Sequence, residues 1–315
     1  MGLQYLAFLL LALIWGSNFV FMKWAAEFIT PMQIVFLRVA AGCLPILILA
    51  LVKGSIRRDH FRHWPHFLVM SILGTSFYYW CFVKGTAMLP SNIAGMVSGA
   101  IPFCATAVTL VCVTSEAVTP KKIWGIAVGF AGVACMARPW EAGAVNMAGV
   151  AWILVGCLSL GTSFAYTRKY LTPQGIPALA LSAYQMTLAL AAMLLVTDYT
   201  GITAITQSPK ALWGCLLGMG LLGTGIAFAL YYYIVAGLGA VTASSVSYLA
   251  PVVAFFLGWF IMDDPVHGTD FLAMAFIFSG IILLRETPEK EQRTPPQRSG
   301  MSRTGNLCPQ SSTKD

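Results

Sequence analysis

Charge is what this sequence has least of. Asp, Glu, Lys and Arg make up 10% of its 315 residues, where a soluble domain carries about 25%. So few charges cannot cover the surface of a water-soluble fold of this size. Acids are scarcer than bases, 12 against 19, and none falls deep within an apolar stretch. That removes the clustered carboxylates on which a membrane-embedded transferase would depend. P-loop, GxSxG and HExxH patterns are missing too, which leaves no phosphate cradle for ATP and no recognisable hydrolase centre. The eight cysteines form no CxxC pair. Seven lie in apolar stretches and read as small buried hydrophobes, not as a disulfide framework or metal site. The sequence therefore implies no cofactor and no metal.

What it has in abundance is apolar length. Hydrophobic residues make up 58% of the chain and mean hydropathy is +0.76. A helix needs about 20 apolar residues to cross the hydrocarbon core. Ten stretches qualify: 3–23, 31–52, 67–85, 91–113, 122–138, 147–167, 177–197, 211–233, 239–262 and 269–285. Runs such as Leu6–Ile14 and Ile46–Val52 do not alternate, which argues against a membrane β-barrel. The first stretch lacks the basic leader of a cleaved signal peptide. The expected fold class is an all-α integral membrane protein, with the lipid bilayer as its main partner.

The net charge of +7 is no nucleic-acid signal, because the basic residues are distributed by loop. With the amino terminus in the cytoplasm, the cytoplasmic loops hold eight, among them Arg57, Arg58, Arg62, Lys121, Lys122 and Arg168. The opposite loops hold four: Lys23, Lys84, Arg138 and Lys210. The positive-inside rule then puts both termini in the cytoplasm and requires an even number of spans. From Thr287 to Asp315 the chain is rich in Pro, Ser, Thr, Gln and charge. It has little to bury and reads as a disordered cytoplasmic tail.

The chain also repeats itself. Leu73-Gly74-Thr75 matches Leu222-Gly223-Thr224 at an offset of 149, and Pro102 matches Pro251 at the same offset. "WGSNFVFMK" from Trp15 faces "LGTSFAYTR" from Leu160, and the acidic turn at Glu116 faces that at Asp264. Two copies of five spans each would sit upside down relative to one another, the inverted-repeat plan of many secondary transporters. The copies are read as 3–138 and 147–286.

In these residues the chain resembles the drug/metabolite transporter superfamily, EamA type. The likeness rests on "WGSNFVFMK", on Pro31 and Arg38 in "PMQIVFLRVAAG", on Pro102 in "GAIPFCATAV", on the turn at Glu116, and on "SYLAPVVAFFLGWF" in the second copy. It implies ten transmembrane helices as two inverted five-helix repeats in the cell inner membrane, carrying small metabolites and often exporting them. One departure is Gln185, which stands near where the first copy has Arg38.

The candidate substrate cavity follows from polar and aromatic groups at span depth. Trp15 and Asn18 share a helix face. Asn18 and Ser163, in matching places, either glue helices together or line a wet cavity, since buried polar groups without partners are costly. Arg38, seven residues past Pro31, lies about 10 Å into its helix. It is the only charge deep inside a predicted span, and intramembrane charge is a functional candidate; the alternative is a clamp on backbone carbonyls. Tyr79, Trp80, Tyr184, Tyr232 and Tyr248 are candidate walls, and Asn92, Ser98 and Ser244 candidate polar lining. Pro102 and Pro251 are candidate hinges, or static kinks. His60, His63 and His66 have no acid or thiol beside them and read as a juxtamembrane basic segment. Asp263, Asp264 and Asp270 read as ordinary solvated loop acids.

The expected function is secondary transport of small metabolites (amino acids, nucleosides or drug-like compounds), with export as the expected direction, by alternating access around a central cavity between the repeats, in a monomer or homodimer with no nucleic-acid partner. The competing classes are an embedded enzyme acting on a lipid-like substrate and a channel. A reporter fused to the carboxy terminus should behave as cytoplasmic. A signal from the opposite side of the membrane would overturn the topology.

Overall fold

The structure, a computed structural model, describes residues 2–112, 118–141 and 145–284. The tail from Thr287 and the turn at Glu116 lie outside the described residues. All the regular structure described is helical, as a backbone that must satisfy its own hydrogen bonds in lipid requires. We number ten helical segments. They are α1 (Gly2–Ala26), α2 (Pro31–Val52), α3 (Arg58–Met88), α4 (Ser91–Cys112) and α5 (Pro120–Ala137), followed by α6 (Met147–Gln174), α7 (Ala178–Val196) and α8 (Pro209–Leu238). The last two are α9, in the pieces Ala240–Ser244 and Val246–Ile261, and α10 (Gly268–Leu284). All but α5 and α10 are long and apolar enough to cross a bilayer. The chain is an all-α multi-pass membrane protein.

Local sequence sets several helix starts. Thr30 caps α2 in a reciprocal box with Gln33, with Pro31 at the first helical position, where its missing N–H costs nothing. Asn146 caps α6 by accepting from the Ala148 and Gly149 amides. Between α8 and α9 the chain turns at Gly239, whose φ of 82° and ψ of 161° suit only a residue without Cβ.

Lipid offers no hydrophobic drive between helices, so close backbone approach must do the packing, and small residues permit it. A Cβ added to Gly16 of α1 would come within 2.9 Å of the Ala250 carbonyl of α9. One added to Gly161 of α6 would lie 2.7 Å from the Ala105 amide of α4. The shorter helices α5 and α10 pack on each other in the same way. A Cβ on Gly280 would stand 2.7 Å from both the Gly125 carbonyl and the Gly129 amide, and one on Gly132 would stand 2.8 Å from the Ala273 carbonyl. Other close pairs are α2 with α8, α3 with α7, α3 with α6, α1 with α8, α2 with α7 and α4 with α9.

One end of the bundle is tied by polar groups, and here two loop acids depart from their sequence reading. Asp264 is no idle solvated acid: its carboxylate accepts from the Ser91 hydroxyl at 2.6 Å and the Asn92 amide at 2.9 Å. It thus satisfies free N–H groups at the start of α4, where a negative charge is favoured. Asp270 is fully buried, 3.2 Å from the Arg138 guanidinium, and accepts from the His267 amide at 2.8 Å. Composition alone marks such loop acids as solvated; their helix-end partners lie far away in sequence. Lys23 of α1 joins the same end, donating to the Leu89 carbonyl at 2.7 Å.

Gly280→Ala should lower stability by about 1–3 kcal/mol, because backbone, not a yielding side chain, occupies the space. Gly268→Ala, with nothing within 4 Å of the added carbon, should stay within about 0.5 kcal/mol. Thermal unfolding in detergent reads both, and equal losses would refute the packing argument.

Candidate functional site

Four helices depart from regular α-geometry at depth. Widened π-turns occupy Ile72–Ser76 of α3 and Gly214–Ile226 of α8. Both Leu-Gly-Thr triplets fall inside them. A tight 3₁₀ turn at Ser98–Ala100 divides α4, and α9 breaks at Ser245. Each departure disturbs the hydrogen-bond register and leaves carbonyls in need of donors. Side chains supply several. Ser159 of α6 donates to the Leu73 carbonyl at 2.8 Å, and Thr224 donates to the Met219 carbonyl at 3.0 Å. Pro102, lacking an N–H, cannot serve the Ser98 carbonyl four residues before it; that carbonyl instead accepts from the Ile101 amide, in the tighter 3₁₀ pattern, with the Cys157 thiol 3.9 Å away.

The widened turns each receive one polar side chain from a neighbouring helix. Arg38 of α2 donates through Nε to the Thr224 hydroxyl at 3.4 Å. Gln185 of α7 donates to the Thr75 hydroxyl at 3.3 Å. The Arg38 guanidinium also lies over the Tyr79 ring, 3.8 Å from its centroid, a contact worth about 2 kcal/mol when desolvated. Arg38 is 4% exposed, and none of the described residues supplies a carboxylate to pair with it. Tyr78 and Phe82 continue the aromatic wall from Tyr79, with ring centroids 4.9 and 4.6 Å apart in turn. Phe82 then meets Phe19 of α1. Asn18, next to Phe19, faces Gly223 so closely that a Cβ there would lie 2.6 Å from its Oδ1. That oxygen is buried without a hydrogen-bond partner, as is the Ser76 hydroxyl at the end of the α3 π-turn. Adjacent residues Gly223 and Thr224 thus bring Asn18 and Arg38 to one stretch of α8.

The model of the EamA-like transporter family matches residues 2–138 and again 147–285. The chain belongs to the EamA-like transporter family. The uncharacterized transporter YoaV of Bacillus subtilis is 24% identical over 278 residues, which cover 86% of this chain and 92% of YoaV. The uncharacterized inner membrane transporter YedA of Escherichia coli K12 is 24% identical over 289 residues, covering 87% and 88%. One solved crystal structure shares the fold, with a TM-score of 0.58 at 19% identity over 90% of this chain and 96% of its own. Family membership sets the protein among transporters and not among enzymes.

In this EamA-like chain the residues expected at the cavity do not all meet. Asn18, Arg38 and Tyr79 come together as described. Trp15 instead stacks on Tyr231, 6.3 Å between centroids, in a separate cluster formed by α1, α8 and α9. Tyr232 adjoins Phe228 and Tyr231 on α8. Trp80 meets Trp152 edge-on, and the Lys84 ammonium lies 4.9 and 4.1 Å from those two rings. Tyr184 stacks on Phe67 at 4.6 Å and bonds the Arg57 backbone at the start of α3. Ser98 and Ser163 donate to carbonyls of their own helices. Ser244 is exposed at the end of the first piece of α9, and Tyr248 is half-buried. Asn92 is fully buried, with its side chain on the Pro265 carbonyl and the Ile93 amide. The three histidines gather near Tyr166 and Tyr184, and no metal-holding group of His, Cys, Asp or Glu occurs among the described residues.

The residues that sequence reasoning passed over are Thr75, Thr224 and Ser76. The repeated Leu-Gly-Thr was the available signal, since it marked the two widened turns.

Asn92→Ala should destabilise the protein by about 1–3 kcal/mol through its lost buried bonds. Ser91→Ala, which removes the hydroxyl that donates to Asp264, combined with Asp264→Ala should show a coupling of about 0.5–3 kcal/mol in a double-mutant cycle. Additive losses would mean that the two groups do not act together at the start of α4.

Proposed function

We propose that this protein is a secondary carrier of small metabolites, built as two inverted repeats of five transmembrane helices. The repeats are 3–138 and 147–286. The observation that carries this reading is an exchange symmetry in the helix pairs. Numbering α6 to α10 as the counterparts of α1 to α5, the pair α1–α9 becomes α6–α4, α2–α8 becomes α7–α3, and α3–α6 becomes α8–α1. All six pairs occur. The pairs α2–α7, α4–α9 and α5–α10 map onto themselves and also occur. The symmetry extends to side chains. Asn18 against Gly223 corresponds to Ser163 against Gly74, and Gly16 on α9 corresponds to Gly161 on α4. Arg38 on Thr224 corresponds to Gln185 on Thr75.

Matching parts of the two repeats differ in burial, which supports alternating access. Every residue of Ser91–Val97 in α4 is buried. Its counterpart, the first piece of α9, has Ser244 exposed and Thr242 half-buried. Beyond the break in α4, only Phe103 and Cys104 of Ile101–Cys112 are buried. With both termini in the cytoplasm, the tied end carrying Lys23, Asn92 and Asp264 faces outward and the looser halves of α4 and α9 face inward. Swapping the two conformations between repeats would open the opposite side, with Pro102 and Pro251 next to the breaks that would flex. The inner membrane is the location that accords with the printed name of YedA. Amino acids, nucleosides and drug-like compounds are the substrate range, and export is the direction carried by the family resemblance.

Proteoliposomes loaded with a small-molecule extract test this reading. A carrier gives saturable flux of a subset of compounds. Without an acid at span depth to carry a proton, that flux should persist when the pH gradient is collapsed. Flux linear in concentration, or none above protein-free vesicles, would overturn the carrier reading.

A further inference from the structure

The exchange symmetry supplies an internal control for Arg38. At the corresponding place on the other side, Gln185 makes the equivalent bond to Thr75 without a charge. A neutral amide is therefore enough to tie a helix to a widened turn. The positive charge of Arg38 is surplus to that task, and burying it is expensive: a centred Arg costs about 2.5–3.5 kcal/mol even on the mildest insertion scale. Buried charges are ordinarily paired, as Arg138 is with Asp270. Arg38 has one bond through Nε and the face of Tyr79. Its two terminal amino groups, the fork that recognises acids, hydrogen-bond no described residue. Two buried polar atoms on neighbouring helices are also unpartnered: Asn18 Oδ1 of α1, against the residue next to Thr224, and Ser76 Oγ of α3. Ser76 stands three residues before Tyr79, on one helix face.

We propose that Arg38 is the anion-binding residue of the substrate site, and that the ligand is a small organic acid. Its carboxylate or phosphate lies on the terminal amino groups of Arg38. Its less polar body meets the aromatic wall of Tyr79, Tyr78 and Phe82. Tyr79 holds the guanidinium plane, and Thr224 fixes Nε, so the fork is oriented before the ligand arrives. This deepens the carrier reading and rests on it for the ligand's fate, but not for binding itself.

The test offers purified full-length protein a library of small carboxylates and phosphates, each paired with its neutral amide or alcohol. Thermal stabilisation and native mass spectrometry read binding. Acids should bind and their neutral partners should not. Arg38→Gln, which copies the residue on the symmetric side, should still fold, because relief of the buried charge offsets the lost contact with Tyr79. It should bind the same acids about tenfold more weakly or worse, the scale of a lost charge-assisted bond. Arg38→Lys should keep part of the affinity. The proposal falls if no acid binds, if neutral partners bind as well, or if Arg38→Gln binds undiminished. It falls equally if Arg38→Gln fails to fold, because the charge would then be structural. Acids that bind but do not cross a liposome membrane would sink the carrier reading and leave the anion site standing. Saturable flux confined to neutral compounds would do the reverse.

Discussion

A hydrocarbon solvent accepts no hydrogen bonds, so every irregularity in a membrane-spanning backbone must find its partner inside the protein. That constraint organises this structure. The π-turns of α3 and α8 release carbonyls that a regular helix would have satisfied. Ser159 and Thr224 answer them. Once those side chains are committed, the polar groups left unsatisfied stand out by subtraction. Among the described residues these are Asn18 Oδ1 and Ser76 Oγ, which lie near the bond from Arg38 to Thr224, together with Arg138 Nε and Thr197 Oγ1.

Packing follows from the same solvent. Glycine-lined contacts, among them those of Gly16, Gly161 and Gly280, replace the apolar drive that water provides elsewhere. They let helices touch backbone to backbone, so polar side chains reach across short gaps. At one end of the bundle, acids meet helix-start amides and a buried arginine.

Much of the class was legible in the sequence, because hydropathy and segment length are properties of the chain itself. The all-α multi-pass fold followed from that, while the family came from the resemblance of motifs such as "WGSNFVFMK" and "SYLAPVVAFFLGWF". Arg38 was legible as well, since a lone charge in an apolar run is visible without coordinates. The widened turns were not, because hydropathy carries no record of hydrogen-bond register; only the doubled Leu-Gly-Thr hinted at them. Asp264 and Asp270 looked solvated because their partners are Asn92 and Arg138, more than a hundred residues away. Tyr184 and Trp80 looked like cavity walls because a residue's depth along a helix does not fix the direction its ring faces.

The unequal pair Arg38 and Gln185 has an evolutionary consequence. Two identical half-length chains would have carried either two guanidinium groups or two amides at these places. A single continuous chain is free of that constraint. Each place can change alone, so one holds a positive charge while the other keeps a neutral amide.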